Sequence, residues 1–133
     1  MVTLTWARIN EIADVIGRLS KDGKADPKAS YRAARIFATG KQQVKLMQEK
    51  QAEVFAKYQS KTEDGKPEFD AQGQMVWNSP TAAEECYKEI QEMMEKTSVD
   101  VKIHRFEYQQ IKHLPGADIV AIEDLVDGLP EEV

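Results

Sequence analysis

The sequence predicts an α+β domain dominated by helix: an antiparallel helical hairpin with one long helix, a small β-hairpin at its tip, a short strand and a short C-terminal helix. Three observations lead there. Apolar residues recur at three- and four-residue spacing over most of the chain from Trp6 to Glu95. A cluster of turn-forming residues interrupts that pattern between Lys61 and Pro80, and an alternating apolar run follows only at Val99, Val101 and Ile103.

From Trp6 to Leu19, the residues Ile9, Ile12, Ala13, Ile16 and Leu19 fall on one stripe of an amphipathic helix. The helix ends in SKDGKAD, where Gly23 suits a helix end, Asp26 can cap the next helix and Pro27 occupies its first position, where a missing N–H is harmless. From Pro27 the pattern Tyr31, Ala34, Phe37, Val44, Met47, Gln51, Val54 and Tyr58 keeps close to a seven-residue repeat without an internal proline. One helix about 45 to 50 Å long is the simplest reading, with its far end projecting or meeting another chain. Gly40 marks a bend or a close helix crossing within it.

The segment KTEDGKPEFDAQGQMVWNSP has turn signals at Asp64-Gly65 and Gln72-Gly73, which predicts a hairpin of PEFD and QMVW over about 62–78. Two strands alone are marginal in water, so Phe69, Val76 and Trp77 are expected to pack on a helix or a partner. Thr81-Ala-Ala-Glu84 has the form of a capping box and opens a third helix, with Ala83, Cys86, Tyr87, Ile90, Met93 and Met94 on its apolar face. The strand after Ser98 needs a partner edge, supplied by a further strand near Phe106 or by another molecule. Ile119, Ile122, Leu125 and Val126 predict a last short helix after Pro115-Gly116, with Asp118 near its positive end. The expected organisation is one domain over 1–127 and a loose acidic tail over 128–133, without an internal repeat.

At 133 residues, 41% hydrophobic and 31% charged, the chain can build one core without a disulfide. Its single Cys86 excludes an internal disulfide and a multi-cysteine zinc site. No apolar run approaches the roughly 20 residues of a membrane span, and MVTLTWARIN does not read as an export signal. The net charge of −5 divides at Ser60 into +5 for the first part and −10 for the second. The plainer explanation is a basic helix lying beside an acidic one; the other is a charged surface that meets a partner.

Catalysis needs proton-exchanging or nucleophilic groups held at defined geometry, and the supply is thin. Cys86 reads as a small buried hydrophobe on an apolar stripe, and His104 and His113 lack the pairing of a metal site. The glutamates Glu84, Glu85, Glu89, Glu92 and Glu95 have no Glu-x-x-His companion, so they read as a solvated face, and no phosphate-binding glycine motif is present. No cofactor or metal is expected. Lys24, Lys28, Arg32, Arg35, Lys41 and Lys45 line one face of the long helix as a backbone-binding stripe on nucleic acid would, but the acidic chain as a whole disfavours that partner.

Several short segments resemble a family of short, functionally uncharacterised proteins of tailed bacteriophages. They are Leu4-Thr5 before a helix ending in Gly17-Arg18-Leu19, Tyr31-Arg32-Ala33-Ala34-Arg35 opening the long helix, and Lys57-Tyr58 leading into Glu63-Asp64-Gly65-Lys66. Val99-Asp100-Val101 and Gly116-Ala117-Asp118-Ile119 complete the set, which spans nearly the whole chain. The resemblance implies a phage setting and brings neither an activity nor functional residues.

The expectation is a non-enzymatic phage accessory protein that acts by protein contact, as a virion or assembly component at a head, neck or tail, in the host cytoplasm or in the particle. Its partners would be other phage proteins or further copies of itself. The alternatives are an intracellular factor that inhibits a host protein and, behind it, a nucleic-acid-binding accessory protein. Candidate contact residues are Lys28, Arg32 and Arg35 on the basic stripe, Phe69 and Trp77 in the hairpin, and Glu85, Glu89 and Glu92 on the acidic face.

Overall fold

The computed structural model describes residues 1–131. Strand β1 (Val2–Thr5) runs directly into helix α1 (Trp6–Ser20), where the Thr5 hydroxyl accepts the Arg8 N–H as an N-cap. Asp26 caps α2 (Pro27–Tyr58) through the Lys28 N–H, and Pro27 opens it as expected. At 32 residues, α2 is about 48 Å long. Helix α3 (Ala82–Lys96) returns antiparallel along the second part of α2. Then follow β2 (Ser98–Val101), β3 (Phe106–Glu107), α4 (Tyr108–Ile111), α5 (Gly116–Ala121), a 3-10 turn (Glu123–Leu125) and β4 (Val126–Asp127). The helix-dominated α+β class with one long helix is thus the observed one.

Helices α1 and α2 cross closely, and two glycines make the approach possible. A Cβ on Gly40 would lie 3.2 Å from Ile9 Cγ2, and one on Gly17 would lie 3.3 Å from the Phe37 ring. Gly40 therefore marks a crossing, the second of the two outcomes its position suggests. The same closeness shifts the core face of α2. Its buried residues are Ala29, Ala33, Ile36, Gly40, Met47 and Val54, whereas Tyr31, Ala34 and Val44 of the expected stripe are exposed. Met47 and Val54 of the expected stripe are buried and Phe37 packs against the core, so the expected face is misplaced at Tyr31, Ala34 and Val44, while Ala29, Ala33, Ile36 and Gly40 take the buried positions.

The main core gathers Leu4, Trp6, Ile12, Ile16, Leu19, Ile36, Val101, Phe106, Ile111, Ile122 and their neighbours, with no polar or charged residue buried among the described residues. Strand β2 finds its partner in β1, antiparallel, with Val2 opposite Val101 and Leu4 opposite Val99. This corrects the expectation of a partner near Phe106 or in another molecule. β3 instead pairs in parallel with β4, Phe106 opposite Val126, so Val126 is in a strand and not in the last helix. The burial of Phe106 and Val126 drives that exchange, since helical continuation past Leu125 would not set Val126 beside Phe106.

The C-terminal segment is clasped onto α1 and the turn after it. Arg8 pairs with Asp124, Arg18 donates to Asp118 at 2.8 and 3.0 Å, and His113 Nε2 lies 2.7 Å from Asp22 Oδ2. Leu129 packs on the core, so the expected tail over 128–133 is anchored at its start, while its final residues 132 and 133 lie outside the described residues.

Candidate functional site

Beyond Trp6, which donates its indole N–H to Gln43, α1 no longer accompanies α2. The last four turns of α2 are covered by α3 on one side and capped at the end by residues 58–81. Three buried residues, Val54, Ala82 and Cys86, form the interior of this arm apart from the main core. Burial pushes the Cys86 thiol up, away from the nucleophilic thiolate.

The cap contains the expected Phe69–Met75 pairing of a hairpin, and a third segment completes it. The N–H of Glu68 donates to the carbonyl of Ser60 (2.9 Å), that of Val76 to Glu68 (3.1 Å), and that of Ser60 to Val76 (2.7 Å), which closes a ring. A second ring member set repeats it two residues on: Thr62 to Lys66 (2.8 Å), Asp70 to Gln74 (2.8 Å) and Asn78 to Tyr58 (2.9 Å). Every donor recurs after eight residues, so 58–65, 66–73 and 74–81 are three structural repeats around a pseudo-threefold axis. This is an internal repeat that the sequence reading missed. Gly65 (φ 81°) and Gly73 (φ 78°) close the two turns in the left-handed conformation. Thr62, Asp70 and Asn78 hold corresponding positions, the first two with local side-chain bonds, Asp70 Oδ1 accepting the N–H groups of Gln72 and Gln74 at 2.9 Å each, and Asn78 donating its side-chain N–H to the Lys57 carbonyl at 3.0 Å. The Thr62 hydroxyl donates to Asp64 and holds that carboxyl below its ordinary range.

A closed ring pairs each short segment with both others, which leaves side chains, more than a free strand edge, as the means of contact at the tip. The ring also ties the end of α2 to the approach of α3 through the Asn78–Tyr58 bond. Thr81 consequently does not cap α3 as expected. Its backbone is held in a helical conformation (φ −102°, ψ −1°), and its hydroxyl donates to Glu85 Oε1 at 3.0 Å instead of accepting a backbone N–H.

At the base of the cap, Trp77 packs with Phe55 and Tyr87, the three ring centroids 6.0 to 6.2 Å apart. Trp77 is half-buried, whereas Phe69 and Tyr87 are each 59% exposed. Phe69 and Trp77 thus share the cap, and the structure adds Phe55 and Tyr87 to them. Their positions on facing helices four turns from the crossing could not be read from spacing alone.

Acidic α3 lies beside α2, as the plainer reading of the charge asymmetry has it, along the second part of that helix. The basic stripe occupies the beginning and middle of α2, and acidic α3 lies against its end. Lys57–Glu89 is the ion pair between the two helices among the described residues. The Glu89 carboxylate accepts from Lys57 and raises the lysine's pKa, while its Oε2 is buried without a hydrogen-bond partner. Glu85 bonds to Thr81, and Glu92 is exposed. On the stripe, Arg32 is held by the Arg105 carbonyl and by Gln110, while Lys28 and Arg35 are exposed. Lys28 and Arg32 line a common groove; Arg35 does not join it.

Among the described residues no group of three or more His, Cys, Asp or Glu is placed to hold a metal ion, and no helix is long and apolar enough to cross a membrane. His104 is exposed, and His113 is committed to Asp22, whose carboxyl it holds below the ordinary range. No family model, curated protein or solved structure matches this chain.

Proposed function

We propose that this chain is a non-enzymatic accessory protein that works by protein contact, and that it serves a tailed bacteriophage as a virion or assembly component. The observation that carries the contact reading is the arm: a helical pair ending in a closed β cap, with Phe69 largely exposed on the cap and Tyr87 largely exposed in the Trp77–Phe55 cluster at its base. Exposed aromatics on a rigid support are the residues that dominate protein interfaces, since they bury much surface at small conformational cost. The ring of backbone bonds supplies the rigidity. The phage setting rests on the resemblance of the short segments from Leu4-Thr5 to Gly116-Ala117-Asp118-Ile119.

A second reading, an intracellular factor that binds a host protein, is favoured by the acidic face of α3. Glu84, Glu92 and Glu95 are exposed and without ion pairs among the described residues, as a charge mimic requires.

Quantitative mass spectrometry of purified particles separates the two. A fixed copy number relative to the major capsid protein is expected, and Phe69→Asp should reduce incorporation, since loss of an anchor worth about 2 kcal/mol weakens binding roughly 30-fold. Absence of the chain from both particles and assembly intermediates, with normal expression in infected cells, would overturn the assembly reading in favour of the second.

A further inference from the structure

A groove of about 380 Å³ lies between the start of α2 and the loop after β2, and Lys28, Tyr31, Arg32, Lys102 and His104 line it. Pro27 and Ile103 complete its lining, so four of the seven side chains can carry positive charge, and no acid lines the groove. Three arginines of the chain, Arg8, Arg18 and Arg105, are neutralised by carboxylates. Arg32 is not: one guanidinium nitrogen donates to the Arg105 carbonyl at 3.0 Å and to the Gln110 side-chain oxygen at 3.1 Å, both uncharged. These bonds fix the group in place without cancelling its charge. Asp26, the acid nearest in sequence, is engaged in capping α2 through the Lys28 N–H. Lys28 and Lys102 have no carboxylate within ion-pair distance among the described residues. Tyr31, 62% exposed, lines the same groove as the cations.

We propose that this groove binds a nucleotide phosphate, with Lys28, Arg32 and Lys102 meeting the phosphate and the Tyr31 ring stacking on the base. A fixed guanidinium with free donors suits phosphate oxygens, and an exposed aromatic beside cations is the arrangement by which proteins take single nucleotides or single strands without reading sequence. Double-stranded DNA is a poorer fit, because a concave pocket with a stacking ring does not follow a duplex backbone. The site lies apart from the aromatic tip and does not depend on the protein-contact reading.

The test is a set of titrations of the full chain, followed by amide chemical shifts, with adenosine monophosphate, a 12-residue oligothymidylate and polyglutamate of similar charge. Nucleotide binding is expected to perturb residues 27–32 and 102–105. Three phosphate contacts predict that oligothymidylate affinity falls roughly 20-fold between 50 and 200 mM salt. Lys28→Glu with Lys102→Glu should abolish binding, and Tyr31→Ala should weaken the oligonucleotide at least about 5-fold. All three changed residues are exposed, and circular dichroism checks that the fold is retained. Binding of the mononucleotide as tightly as the oligomer identifies a free nucleotide as the ligand; binding of the oligomer alone identifies a single strand. No binding of either, binding unaffected by the charge reversals, or polyglutamate binding equally well would overturn the proposal.

Discussion

Around its first turns α2 is packed on α1, β2, β3 and α4, whereas its last turns are accompanied by α3 and the cap. The difference is one of material as well as of neighbours. The body buries Trp6, Phe106 and a set of isoleucines and leucines completely, so its stability rests on apolar area removed from water. The arm buries Val54, Ala82 and Cys86, too little to hold it on its own, and supplements them with a closed ring of backbone hydrogen bonds and one cluster of aromatic rings. The body is thus built for stability and the arm for shape, and local opening should begin in the arm.

The largest effect that sharpens this contrast is a pair of truncations. Phe106→Ala should cost about 3–5 kcal/mol of global stability by urea titration, whereas Val54→Ala, which removes two methyl-sized groups, should cost about 1.5 kcal/mol. Val54→Ala should also accelerate amide exchange in α3 while leaving α1 protected. Equal protection of α3 and α1 in the unaltered protein would break the distinction between the two regions.

An intermediate effect is expected at the crossing. Gly40→Leu must force side-chain atoms into the place where even a Cβ comes within 3.2 Å of Ile9, and overpacking of this kind costs about 1–3 kcal/mol. If the variant is as stable as the original, the helices are not in contact at Gly40 and the body is looser than described.

The smallest effect concerns the clasp on the body. The Arg18 guanidinium holds the Asp118 carboxyl below its ordinary range, and His113 does the same for Asp22. Unfolded, both carboxyls titrate near the usual value of about 3.9, so the folded chain binds fewer protons there. Their contribution is present above that pH and is lost as the pH falls through the lowered folded values. Asp118→Asn should therefore lower the urea midpoint at pH 7 and make its decline between pH 5 and pH 2 shallower. A decline of unchanged steepness would show that the clasp contributes nothing through Asp118.

Part of the candidate surfaces was legible in the residues themselves. Phe69 and Trp77 stood out as bulky side chains in a turn-rich segment, and Lys28 and Arg32 as members of one helical face. Tyr31, Lys102 and His104 could not be joined to that face by spacing, because the groove they share is made where β2 returns against α2. The three-part cap left a trace in the eight-residue spacing of Gly65 from Gly73 and of Thr62, Asp70 and Asn78. Its ring is still invisible without the third dimension, because its members are different residue types joined through backbone atoms.

By itself the sequence determined α1, the unbroken α2, the existence of α3 and the turns at Gly65 and Gly73, since these follow from local periodicity, capping residues and left-handed backbone preference. Only the tertiary structure decided that β1 pairs with β2, that β3 pairs with β4, that α2 meets α1 closely at Gly40, and that acidic α3 accompanies the second part of α2. Strand pairing and helix crossing depend on which apolar surfaces meet across long stretches of chain. That choice is made by burial of the whole core, and no single segment encodes it.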